Sequence, residues 1–141
     1  QFQLCDIQGR LFEKSAKAGY SSVDFIRRFM LSTLSEELDS SYNRMQWAGE
    51  EYLLEEFASR CPSTKKDKNQ YNDEVLFWTG YIYRYWHFLT GETSKEIYKQ
   101  APAKTMNTNY LMFHTMTPEL AIEDLKEIHT QKNKSESIEG N

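Results

Sequence analysis

Residues 74–90, EVLFWTGYIYRYWHFLT, carry apolar side chains on every side of a helix axis. A helix with one apolar stripe can lie at a surface, but one that is apolar all round has to be enclosed. This segment is interrupted by Thr79, Gly80, Arg84 and His87 and is too short for the roughly 20 apolar residues that cross a bilayer. The enclosure must therefore come from the chain itself, and the segment is expected to be the central helix of a helical protein. Gly91 follows it, where a left-handed residue closes a helix at little cost.

The rest of the chain supplies the surrounding helices. Strand signals are scarce, with no sustained alternation bounded by Asn-Gly or Asp-Gly turns. Residues 10–18 read as a first helix ended by Gly19, while Gly9 weakens the preceding stretch as helix. Ser21 with Asp24 forms a capping-box-like start for a helix through Leu34, with Val23, Ile26, Met30 and Leu34 on its inner face. "SEELDSSY" reads as a short turn of helix and a loop, and "MQWAGEEYLLEEFASR" as a helix with Trp47, Leu54 and Phe57 inward. Residues 61–73 hold Pro62, three lysines and no apolar period, which marks a loop. A helix restarts at Ser94, Pro102 interrupts, "KTMNTNYLMFH" continues, and Thr117 with Pro118 opens a last helix carrying Ala121, Leu125 and Ile128 on one face. The expectation is an all-α, compact bundle of about six helices around 74–90, one domain over 1–131, and a disordered polar tail over 132–141.

Charge and motifs exclude several function classes. With 17 basic and 21 acidic side chains the net charge is −4, so no global field draws the chain to phosphate backbones. Cys5 and Cys61 share no metal or redox spacing and suit a reducing cytoplasm. The start at Gln1, without a basic and apolar leader, reads as a processing boundary and not as a signal peptide. Neither phosphate-loop glycine pattern occurs, nor H-E-x-x-H or E-x-x-H. The sequence thus implies no catalytic residue, no metal ligand and no cofactor. HEPN-type ribonucleases space their arginine and histidine five or more residues apart, whereas "RYWH" separates them by three.

Arg84 is the chemically demanding residue. Its guanidinium stays charged at any accessible pH and costs several kcal/mol to bury unpaired. Asp24, Glu50 or Glu51 could answer it within the core. Alternatively Arg84 and His87 could stand at the mouth of an aromatic pocket, a small enzyme or ligand-binding site gripping an anionic metabolite or nucleotide. Residues 94–114 have the layout of a helix-turn-helix, yet Tyr98 and Pro102 fit it poorly and only Lys104 would reach DNA.

"DFIRRFM", "LDSSYNRMQWAGEEYLLEE", "WTGYIYRYWHFLTGETSKEIYKQAP" and "MFHTMTPELAIEDLKEI" together resemble a family of small bacterial proteins, found mostly in anaerobic intestinal bacteria. The likeness spans residues 4–130. Members of that family are often encoded beside small ADP-ribosyltransferase-like proteins and are regarded on that ground as antitoxin components. The resemblance implies a cytoplasmic, non-catalytic protein-binding module that neutralises a small protein toxin by direct contact. Tyrosine, tryptophan and arginine most often carry binding energy at interfaces. The candidate partner- or ligand-binding residues are accordingly Tyr81, Arg84, Tyr85, Trp86, His87, Tyr98, Lys99, Tyr110 and His114.

Overall fold

The computed structural model describes residues 2–40 and 48–139, and within them the chain is all-helical. Eight helices are described: α1 (Phe2–Lys17), α2 (Ser22–Met30), α3 (Thr33–Asp39), α4 (Glu50–Arg60), α5 (Asp73–Thr90), α6 (Ser94–Gln100), α7 (Ala103–Phe113) and α8 (Pro118–Glu139). No strand occurs among the described residues, and an isolated bridge joins Tyr20 to Lys66. Trp47, expected on an inner helix face, lies outside the described residues.

α5 is the central helix, and its closest partner is α1, packed along its length. The two backbones meet at a pair of glycines. A Cβ on Gly80 would lie 2.5 Å from the Gln8 carbonyl oxygen, and one on Gly9 would lie 2.8 Å from the Phe77 ring. This contact explains why α1 begins at Phe2 and not near residue 10. Glycine costs an isolated helix about 1 kcal/mol, but here it admits a helix crossing that nothing larger could make. α1 then ends as expected at Gly19 (φ 92°), with Tyr20 N–H donating to Ser15 O at 3.0 Å.

The expected helix over 21–34 is two helices. Ser32 breaks it by capping α3, its hydroxyl accepting from Ser35 N–H at 3.1 Å. Ser21 makes no side-chain cap, and Asp24 does not turn back to it. The Asp24 carboxylate instead accepts from Lys65 N–H at 2.7 Å and pairs with Arg27 and Arg28 at 3.0 and 3.1 Å. It thereby pins the 61–72 loop against α2. Burial raises its carboxyl, but the Lys65 amide and the two arginines outweigh burial and hold it below the ordinary value.

The remaining helix ends follow their sequence signals more closely. α5 closes on Gly91 at φ 78°. Thr93 and Glu96 form a capping box on α6. Thr117 Oγ1 accepts from Leu120 N–H at 3.3 Å, with Pro118 as the first residue of α8. α8 continues to Glu139, so residues 132–139 extend a helix where a disordered tail is expected. No proline or glycine interrupts them before Gly140, and contacts one turn apart, such as Asn133 Nδ2 to His129 Nε2 at 3.2 Å, support the exposed residues 131–135.

One hydrophobic cluster draws residues from all eight helices. At its centre Phe12 meets Phe25 and Phe29 edge-on at 5.7 and 5.5 Å, and Phe25 meets Phe57 at 4.7 Å. Each such side chain stabilises by about 1.5–3 kcal/mol through burial, and edge-to-face contacts add about 0.5–1.5 kcal/mol each.

Candidate functional site

α5 presents two chemically different surroundings. On the first, Arg84 is only 1% exposed. Its Nη1 donates to Asp39 Oδ1 at 2.6 Å and its Nε to Gln8 Oε1 at 2.8 Å, while Nη2 reaches Ser94 Oγ at 3.4 Å. Gln8 is itself fixed, its amide donating to Gly80 O at 3.0 Å. Asp39 also accepts from Ser94 N–H and Oγ, both at 2.8 Å, at the first turn of α6. Burial draws the guanidinium pKa down and the Asp39 carboxylate opposes that shift. The acid expected for Arg84 was Asp24, Glu50 or Glu51. Those acids serve elsewhere: Asp24 on the loop, Glu50 with Arg10 at 3.1 Å, and Glu51 with Lys14 at 3.3 Å.

Trp86 and His87 belong to the same closed region. Trp86 is fully buried and its Nε1–H donates to Glu92 Oε1 at 3.0 Å. His87 Nδ1 lies 2.7 Å from the Glu92 carbonyl oxygen, which can only accept, so this nitrogen carries the proton. Glu92 also receives Lys126 Nζ and Gln100 Nε2, each at 2.5 Å. Burial raises its carboxyl, but Lys126, Trp86 and Gln100 hold it down to about 2. Arg84 and Trp86 are thus closed to any ligand or partner. The anion grip expected of Arg84 with His87 has no free guanidinium to supply it.

On the second, α5 is open. Glu13 of α1, Glu74, Phe77, Trp78, Tyr81 and Ile82 of α5, Tyr110 of α7, and His114, Met116 and Pro118 at the α7–α8 corner line an open groove of about 500 Å³. Trp78 meets Tyr110 edge-on at 5.7 Å, Phe77 stacks on Tyr81 at 6.1 Å, and Tyr110 stacks on His114 at 4.4 Å. His114 Nδ1 donates to Tyr110 O at 2.8 Å, and the residue is exposed. Three expected residues, Tyr81, Tyr110 and His114, therefore meet in one place. Tyr85 continues the ring ladder, stacked on Tyr81 at 6.1 Å, with its hydroxyl donating to Glu119. That bond raises the Tyr85 phenol to about 12. Tyr98 stands apart, edge-on to Tyr83 at 6.4 Å, and Lys99 is exposed on α6.

Trp78, Phe77, Glu13 and Glu74 were not among the expected site residues. The rings were visible in the central helix, but nothing in the linear sequence brings Glu13 to them. Beyond Tyr110, Leu111 and Met112 are 80% and 70% exposed, and Leu120 at the start of α8 is half-exposed. α7 thus shows solvent an apolar end and a single lysine, Lys104, which suits protein contact better than a DNA groove.

Neither cysteine is an activated nucleophile. Burial pushes Cys5 up to about 11, and burial raises Cys61 also. Among the described residues no three His, Cys, Asp or Glu side chains gather to hold a metal ion, and no helix is long and apolar enough to cross a membrane. The chain matches no family model, and no curated protein or solved structure shows significant similarity to it.

Proposed function

We propose that the protein is a non-catalytic binding module that acts in the cytoplasm as an antitoxin-like inhibitor, neutralising a partner protein by direct contact. The partner class is a small ADP-ribosyltransferase-like protein, following the family resemblance. The observation that carries the reading is the groove between α5, α7 and the α7–α8 corner, with exposed Leu111 and Met112 beside it. Half-buried tryptophan and tyrosine next to exposed apolar side chains are what protein interfaces use as anchors. The internal pairing of Arg84 counts in the same direction, since it removes the cation on which an anion-binding enzyme would depend.

Co-expression with a small ADP-ribosyltransferase-like protein encoded beside such a gene tests the proposal. The expected result is rescued growth and a stoichiometric complex on size exclusion, both lost on Trp78→Ala with Tyr110→Ala. Unrelieved toxicity and separate elution of the two proteins would overturn it.

A further inference from the structure

The groove has a charge pattern that its aromatic character alone does not explain. Glu13 and Glu74 both line it, and Asp73 sits beside them at the first turn of α5. Among the described residues none of the three makes an ion pair or a side-chain hydrogen bond, although the neighbouring cations of α1 are engaged: Arg10 with Glu50 and Lys14 with Glu51. Lys17, one turn along α1, and Arg10 offset Glu13 in charge only in part, and neither forms an ion pair with it. Partial burial and the Asp73 charge together raise the Glu13 carboxyl, so the folded chain holds these acids together at a cost. An apolar occupant would remove water from the carboxylates without replacing it, and an anionic one would be repelled. A cation is favoured by both the acids and the ring faces. The Trp78 indole N–H and the Tyr81 and Tyr110 hydroxyls have no partner among the described residues, so each can bond to a main chain lying in the groove.

We propose that this groove receives an arginine or lysine side chain of the partner protein, laid across Trp78, Tyr81 and Tyr110 with its charge directed at Glu13 and Glu74. The inference rests on the protein-binding reading above and specifies the chemistry of the partner. Leu111 and Met112 distinguish a protein segment from a free small cation, because a small ion would leave that apolar surface uncovered.

The test is selection of peptides from a random displayed library on the intact protein, with binding sites mapped by amide and indole NMR shifts. The expected binders are enriched in arginine or lysine, shift the Trp78 indole signal, and lose on the order of tenfold in affinity against Glu13→Gln/Glu74→Gln. Glu55→Gln, a carboxylate on α4 outside the groove, should leave affinity unchanged. Urea unfolding of each variant separates lost binding from lost folding. Selected peptides without cations, binding indifferent to the double variant, or no selected peptide at all would each overturn the proposal. A toxin complex that forms and ignores the double variant would sink the cation site alone. Cationic peptides that seat in the groove while no toxin complex forms would sink the antitoxin reading alone.

Discussion

The two surroundings of α5 use similar side chains to opposite ends. Around Arg84 the charged and polar groups are met from within the chain, by Asp39 from α3, Gln8 from α1 and Ser94 from α6. One to two turns earlier, the Trp78 and Tyr81 rings have polar tips that nothing in the described chain meets, and the two carboxylates beside them, Glu13 and Glu74, make no ion pair among the described residues. A completed polar network fixes a fold, whereas an incomplete one at a surface has to be finished by something else. The resemblance between the two regions in composition, rings with a charge among them, hides this difference in the sequence.

Breaking the closed region should cost the most. Asp39→Ala leaves the buried guanidinium without its counterion and is expected to destabilise by about 3–5 kcal/mol in urea unfolding. Arg84→Lys should lose less but not be neutral, because an ammonium cannot span Asp39, Gln8 and Ser94 at once. If either substitution leaves stability unchanged while partner binding disappears, the distinction between the two regions fails.

Gly80→Ala comes next. Its methyl group would press on the Gln8 backbone and force α1 away from α5, for an expected loss of about 1–3 kcal/mol measured by thermal or urea unfolding. Gly19→Ala meets open space but a positive φ, and should cost about 1 kcal/mol.

Acid titration sharpens the comparison with carboxylates of opposite sign. The Glu92 carboxyl is depressed in the folded state to about 2, so its contribution is full above its unfolded value and is lost as pH falls toward 2. The expected loss is on the order of 2 kcal/mol, and Glu92→Gln should flatten the acid limb of the stability profile. The Glu13 carboxyl is raised, so its charge destabilises the fold at neutral pH and that penalty is relieved on acidification. Glu13→Gln is therefore expected to raise stability slightly while weakening the partner. The smallest stability effect should come from Leu111→Ser with Met112→Ser, within about 0.5 kcal/mol, since neither side chain is buried. Partner affinity is the measurement that should move.

Local chemistry explains which parts of this fold were legible. The limits of α5, its Gly91 cap, the Ser94 restart and the Thr117–Pro118 start all depend on residues within one turn of each other. Asp39 as the partner of Arg84 lies 45 residues away, and the competing acids had nearer cations that no periodicity reveals. Gly9 reads as a helix breaker until Gly80 is placed against it. Ser32 looks like an ordinary polar position inside a helix until its hydroxyl is seen capping α3. In the groove, Tyr81, Tyr110 and His114 were expected because rings on a helix attract attention, but the acids that give the groove its sign come from α1 and the first turn of α5.

The Gly9–Gly80 crossing also sets a timetable for synthesis. Gln8 waits 72 residues for the Gly80 carbonyl that fixes it. At ribosomal rates of about 5–20 residues per second, α1 spends roughly 4–14 s in the cell before the surface that should cover it is translated. Throughout that interval Leu4, Ile7, Leu11 and Phe12 have no α5 to lie against, so the nascent chain is open to chaperones and to misassembly until its central helix emerges.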